Sequence, residues 1–102
     1  MTYTCVGYGE DEPPDITWKF GDQLLSNGTS FLATIYNSQI IDDDDVVYSQ
    51  SILELRSVEV KNSGMYSCTA NNSRGSNSST FILNILNLCK YIIAWIKPEL
   101  LL

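Results

Sequence analysis

The chain has 102 residues, of which 44% are hydrophobic, and this size and composition fit one globular domain and argue against global disorder. It carries 12 acidic and 6 basic residues, so that its net charge is −6. Such a charge disfavours binding to nucleic acid and to anionic lipid, which are themselves negative. Histidine is absent, which excludes a Ser-His-Asp or Cys-His mechanism within this chain.

The three cysteines, Cys5, Cys68 and Cys89, cannot all pair within one chain, and their number alone leaves open which two form a bridge. None of them belongs to a Cys-x-x-Cys spacing, so a structural zinc site is not supported. The N-terminus lacks the basic and apolar regions of a signal peptide. Residues 87–102 are apolar but interrupted by Asn, Lys, Pro and Glu, which disfavours a membrane span of ~20 apolar residues.

Short alternating segments between turn residues predict an all-β fold. In chain order, the predicted strands cover residues 2–8, 15–20, 24–25, 49–56, 64–71 and 79–86. Apolar residues recur at every second position of the longer strands, as in strands with one buried face. Residues 26–51 give a weaker pattern, with a β-branched and aromatic run before the acidic block Asp42–Asp45. Four consecutive carboxylates predict a solvated loop, and the alternative, a calcium site, lacks spaced ligands.

Four residues on the predicted strands form a pattern that indicates the kind of fold. Cys5, Trp18 and Cys68 lie on inward faces, and Tyr66 precedes the second cysteine by two positions. These residues belong to the runs Cys5-x-Gly7-x-Gly9, Pro14-x-Ile16-x-Trp18, Leu53-x-Leu55-x-x-Val58, Asn62-x-Gly64-x-Tyr66-x-Cys68-x-Ala70-x-Asn72-x-x-Gly75 and Phe81-x-Leu83-x-Ile85. Taken together, the runs resemble the I-set class of immunoglobulin domains over residues 2–86.

The resemblance implies an immunoglobulin-like β-sandwich, a Greek key of two antiparallel sheets, over residues 1–86, followed by a non-family tail at 87–102. It also implies a disulfide between Cys5 and Cys68. The core signature that it implies comprises Trp18, Leu53, Leu55, Gly64 and Tyr66. Asn62 stands where the family usually has an acid. Because the pattern begins at the family's second strand, we expect an N-terminally truncated domain whose last strand has an unpaired edge.

Three N-x-S/T sequons begin at Asn27, Asn71 and Asn77, and two of them fall in predicted turns. With an implied disulfide they predict N-glycosylation, and the alternative is chance in a chain rich in Asn and Ser. The candidate binding residues occupy two loops, and they are Glu10, Asp11, Glu12, Ser73, Arg74 and Gly75. A merely solvated loop is the alternative for the three acids.

The resemblance implies a non-enzymatic extracellular module for protein–protein recognition or cell adhesion, part of a cell-surface or matrix protein. Its partner would be a protein, homophilic or heterophilic. Nucleic acid, small-molecule substrates, metals and cofactors are not expected, and a membrane is expected only through a parent chain. One alternative is a ligand-binding ectodomain fragment of a receptor kinase or phosphatase, and another is an intracellular titin-like structural domain. Cys89 is either an incidental thiol of the tail or the site of an intermolecular bridge.

Overall fold

The computed structural model describes residues 1–26, 33–56, 58–86, 90–93 and 99–101. The strands in these ranges are β1 (Thr2–Tyr8), β2 (Asp15–Phe20), β3 (Gln23–Leu25), β4 (Ala33–Ile41), β5 (Val47–Leu55), β6 (Gly64–Asn72), β7 (Gly75–Leu86), β8 (Lys90–Ile93) and β9 (Glu99–Leu101). A short 3₁₀ turn, Val60–Asn62, precedes β6. In the described part of the chain, no helix is long and apolar enough to cross a membrane.

The strands form two facing sheets. One sheet has the order β4-β5-β1-β9, and the other has the order β3-β2-β6-β7-β8. Neighbouring strands are antiparallel except for β1 and β9, which run parallel. The chain passes from one sheet to the other between β1 and β2, between β3 and β4, between β5 and β6, and between β8 and β9. The expected all-β, immunoglobulin-like sandwich is therefore confirmed.

The core lies between the sheets because each strand turns alternate side chains inward. Cys5 on β1 and Cys68 on β6 form a disulfide that joins the sheets, with their Cα atoms 6.6 Å apart. Trp18 on β2 is the direct cross-strand neighbour of Cys68 and has no solvent exposure. Its indole Nε1 donates a hydrogen bond of 2.8 Å to the Ser51 hydroxyl of the opposite sheet. The polar link that this serine makes across the core is not visible in the hydrophobic pattern.

The start of strand β7 differs from the sequence-based expectation by four residues. Strand β7 begins at Gly75 rather than at residue 79, so the hairpin turn is confined to residues 73–74. Asn77 therefore lies within a strand, opposite Ala70, and its expected placement in a turn is wrong. The Ser- and Asn-rich start of β7 has the composition of a turn. Pairing with β6, residue by residue from Asn72 to Gly64, outweighs that local preference.

The expectation of an unpaired edge on the last strand of the domain is also wrong. Segments of the tail supply new neighbours for the sheets: β8 pairs with β7, and β9 pairs with β1. Leu100 of β9 is only 5% exposed and belongs to the core. The apolar residues of the tail favour burial, and an exposed strand edge offers unpaired backbone groups, so that both sheets gain hydrogen bonds.

Candidate protein-binding loop surface

The two loops singled out in the sequence meet at one end of the sandwich. The reason is the pairing of β2 with β6, which places Asp15 opposite Asn71 and brings the residues beyond both strand ends together. Asn72 Nδ2 donates a hydrogen bond of 2.9 Å to the Glu12 backbone carbonyl. The Ser73 hydroxyl bonds the Glu12 carboxylate as well. We call the group formed by Glu10, Asp11, Glu12, Ser73, Arg74 and Gly75 the loop surface.

Arg74 is the basic residue of the loop surface. One guanidinium nitrogen lies 2.6 Å from Asp11 Oδ2, and the other lies 3.6 Å from Glu10 Oε2. All three side chains remain more than half exposed, so these ion pairs add little to folding stability, about 0–1 kcal/mol each. They link the hairpin turn to the loop that follows β1. Three carboxylates against one guanidinium leave this surface net negative.

Two glycines permit the close packing beneath the loop surface. A Cβ atom at Gly9 would collide with the Glu12 carbonyl and would come within 2.5 Å of Asn72 Nδ2. At Gly7, a Cβ atom would approach Pro14 Cγ to 2.8 Å and Ala70 Cβ to 3.0 Å. The sequence indicated both glycines only through the family resemblance. Because neither glycine has a side chain, the loop between β1 and β2 can pack closely against β6.

Gly75 ends the hairpin turn and has a φ of 153°, which L side chains rarely adopt. A Cβ atom at this position would meet nothing within 4 Å, so the space above the turn is open. The backbone N–H of Arg74 donates a hydrogen bond of 2.9 Å to Asn72 Oδ1 and closes the turn. The hairpin tip therefore has a defined shape together with open space for a partner.

At the other end of β6, the Tyr66 hydroxyl donates a buried hydrogen bond of 2.6 Å to the Asn62 carbonyl. Burial raises the pKa of Tyr66 far above its ordinary value, and the proximity of Tyr3 raises it further. Asn62 Oδ1 also accepts a hydrogen bond of 2.7 Å from the Glu59 N–H. A neutral hydrogen bond thus occupies the place of the family's usual acid. Tyr66 forms the tyrosine corner, since its hydroxyl ties β6 back to the preceding turn.

The remaining predicted residues lie apart from the loop surface. Leu53 and Leu55 are core residues of β5, and Gly64, with a φ of 146°, packs against the Phe20 ring. Asn71 and Asn77 are exposed strand residues, while Asn27 lies outside the described residues. Cys89 likewise lies outside the described residues.

The acidic block forms the hairpin loop between β4 and β5. Asp42 Oδ1 accepts hydrogen bonds of 2.8 Å from the Asp44 N–H and 3.0 Å from the Val46 N–H. Asp45 has a φ of 61°, in the left-handed region. The Asp42 carboxylate therefore stabilises the conformation of this loop by accepting hydrogen bonds from its backbone, as Asp side chains do at many turns.

Comparison with known proteins identifies the family. A sequence model of the immunoglobulin domain matches residues 1–72. The chain is also similar to the Ig-like and fibronectin type-III domain-containing protein C27B7.7 of Caenorhabditis elegans, with 34% identity over 86 residues. No solved structure gives a significant match.

The sandwich, the disulfide and these matches define one class of protein. The chain belongs to the immunoglobulin domain family, whose members commonly mediate protein–protein interactions and are generally non-enzymatic. The alignment with C27B7.7 spans 84% of this chain but 5% of that protein, so the chain corresponds to a small part of a much longer relative.

Proposed function

We propose that this domain is an extracellular recognition or adhesion module that binds a protein partner through the loop surface. The observation that carries the proposal is the convergence of two loops, distant in sequence, through Arg74, Asp11 and Glu12. Loops held by a rigid scaffold are favoured places for binding residues. The I-set subclass, which the sequence runs resemble, is part of the same proposal.

The charge of the loop surface specifies the kind of partner. The Glu10 and Asp11 side chains are 78% and 73% exposed, and both lie within reach of Arg74 on the hairpin turn. An acidic, hydrogen-bonding surface is complementary to a protein surface rich in Lys and Arg, and such complementarity increases association rates and specificity. We therefore expect a partner with a basic patch, bound more weakly as the salt concentration rises.

A charge-matched comparison tests this proposal. The oxidised domain is presented as a multivalent fusion to a panel of purified extracellular proteins, and binders are measured by biolayer interferometry. One variant neutralises the loop surface, and a control removes the same number of charges from the β4–β5 loop. These variants are Glu10→Gln/Asp11→Asn/Glu12→Gln and Asp43→Asn/Asp44→Asn/Asp45→Asn.

The expected result is binding that falls at least about tenfold in the loop-surface variant and stays within about twofold in the control. Equal loss in both variants would indicate attraction by net charge alone. Retention of binding by the loop-surface variant would place the interface elsewhere. Either of these two results contradicts the proposed role of the loop surface.

The extracellular location is tested by expression behind a secretory leader. Asn71 and Asn77 are exposed, which glycan attachment requires. We expect glycan at one or more sequons and a Cys5–Cys68 bridge in the secreted protein. Absence of glycan together with reduced cysteines would favour the titin-like intracellular alternative. The receptor-ectodomain alternative differs only in the attached domains, so it is tested by the gene sequence beyond this chain.

A further inference from the structure

The inward-facing residues of β4 and β5 change from apolar to polar at the same level of the sandwich. On β5, the inward leucines of the core are followed by Ser51 and Ser49, which are also buried. On β4, Asn37 lies opposite Ser51, and Gln39 lies opposite Ser49. Residues directly opposite one another on antiparallel strands project from the same face of the sheet. The side chains of Asn37 and Gln39 are therefore directed between the two sheets.

The two serines and the two amides differ in their surroundings. Ser51 accepts the indole hydrogen bond described above, and the Ser49 hydroxyl donates to the Pro14 carbonyl. Asn37 and Gln39 are exposed although they face inward, so the space between the sheets is accessible to solvent here. Within the part of the chain that the structure describes, no hydrogen bond engages either side-chain carboxamide. Both amides can therefore bond a ligand that enters this space.

This space is a cleft of about 650 Å³, within the range of ~300–1,000 Å³ that is usual for ligand pockets. We call it the amide cleft, after the carboxamides of Asn37 and Gln39. Pro14 and Ile16 also line it and provide apolar contacts, and Asp15 adds an acidic residue to the lining. A concave site that combines apolar contacts with a few convergent polar groups is the common form of a binding site.

The charge around the amide cleft favours a cation. Strands β1 and β4 both pair antiparallel with β5, so they run in the same direction and end at the same end of the sandwich. The loop surface follows β1, and the acidic block follows β4. With Asp15, this end carries eight acidic residues, whereas Arg74 is its basic residue in the described ranges. Such a concentration of one sign of charge attracts cationic groups to a neighbouring cleft.

An arginine side chain on a peptide matches the groups of the amide cleft. The carboxamide oxygens of Asn37 and Gln39 can accept from a guanidinium, which has five N–H donors and is less strongly hydrated than an ammonium. Asp15 supplies negative charge, and Pro14 and Ile16 can pack against the methylene stem. The amide NH₂ groups are then available to backbone carbonyls beside the arginine. A peptide arginine thus uses both halves of each carboxamide, which a free cation does not.

We propose that the amide cleft binds an arginine side chain carried by a loop of the protein partner. This inference rests on the proposed function for the existence of that partner, and it names the chemistry by which the partner is recognised. The amide cleft is nevertheless a site separate from the loop surface. Its preference for arginine can therefore be measured with a short peptide, without the partner.

The test is a titration of the oxidised, ¹⁵N-labelled full chain with the peptide acetyl-Gly-Arg-Gly-amide in 0.15 M salt, followed by amide resonances. Two matched peptides carry citrulline, which has the shape of arginine without its charge, or lysine. Gln39→Leu removes one carboxamide, and Gln23→Leu, at an exposed glutamine on β3, is its control. Asn37→Asp adds a carboxylate, and Asn84→Asp, at an exposed asparagine on β7, is its control.

The expected result is saturable binding with a Kd of about 1 mM or lower, with shifts of the Asn37 and Gln39 side-chain resonances. The citrulline peptide should bind at least about tenfold more weakly, and the lysine peptide at least about threefold more weakly. Gln39→Leu should weaken binding at least about fivefold, whereas Asn37→Asp should strengthen it about threefold. Misfolding does not produce such a gain, and both controls should stay within about twofold of the parent.

Three outcomes would overturn the proposal. The first is the absence of saturable shifts up to about 10 mM peptide. The second is equal affinity for the arginine peptide and for either matched peptide. The third is binding that Gln39→Leu leaves intact but that Glu10→Gln/Asp11→Asn/Glu12→Gln abolishes, which would assign the arginine to the loop surface. Peptide binding in the amide cleft supports this inference even where the loop-surface variant keeps its partner, a result that contradicts only the role proposed for the loop surface.

Discussion

Replacing Tyr66 by Phe removes one hydroxyl group from the tyrosine corner and leaves the packing of the ring in place. The ring stacks on Phe20 and Phe81, with centroid distances of 4.7 Å and 5.2 Å, and a phenylalanine keeps both contacts. The lost contact is the buried hydrogen bond of 2.6 Å to the Asn62 carbonyl. Leaving a buried acceptor unpaired costs ~1–3 kcal/mol, so we expect Tyr66→Phe to lower the free energy of unfolding by that amount.

The assay is urea unfolding of the oxidised protein at pH 7, followed by tryptophan fluorescence. Tyr36→Phe is the control, because its side chain is 54% exposed and the change should lie within ~0.5 kcal/mol of the parent. Equal midpoints for the two variants would show that the Tyr66 hydroxyl does not stabilise the folded state, which would refute the reasoning.

The pH dependence of the free energy of unfolding provides a second test of the contribution of Tyr66. Burial raises the pKa of Tyr66 in the folded state, whereas the unfolded chain has the ordinary tyrosine value of about 10. Below that pH both states keep the proton, and the stabilisation is fully present. Above it the unfolded state loses the proton first, so the free energy of unfolding falls as the pH rises towards the folded-state pKa. We expect a shallower alkaline decline for Tyr66→Phe than for the parent.

Three further changes test other parts of the structure. Replacing Cys5 and Cys68 together by Ala removes a bridge across a sequence separation of 63, and the chain-entropy estimate is a loss of about 4 kcal/mol in urea unfolding. Gly9→Ala should disturb the loop surface, seen as shifted amide resonances at residues 10–12 and 72–74, and unchanged resonances there would contradict the close packing. Asp45→Gly should raise stability by up to about 1 kcal/mol in thermal unfolding, because glycine adopts a positive φ without strain.

Much of the sandwich was predictable because apolar and polar residues alternate along its strands. Trp18 and Tyr66 are the largest fully buried side chains among the described residues, and both stand at inward positions of strands recognised from the sequence. The start of β7 was not predictable from local composition, since only pairing with β6 makes Ser and Asn residues extended. Strand β9 of the tail was missed for a related reason, since it pairs with β1, which is distant in sequence. Strand β8 of the tail was also missed, although it pairs with β7, the strand that precedes it in the chain.

The loop surface could be predicted in its members but not in its contacts. Turn residues identified both loops, yet nothing in the sequence pairs Arg74 with Asp11, because that contact spans most of the domain. The Ser51 hydroxyl is a similar case: it occupies an inward position that the alternation marks as core, and only the structure shows that it accepts the Trp18 hydrogen bond.

Disulfide mapping of the oxidised chain tests the immunoglobulin sandwich most directly. Free thiols are labelled under denaturing, non-reducing conditions, and bridged peptides are identified by mass spectrometry. We predict a peptide pair containing Cys5 and Cys68 and one reactive thiol at Cys89. Three reactive thiols, or a bridge that includes Cys89, would contradict the closure of the two sheets through β1 and β6.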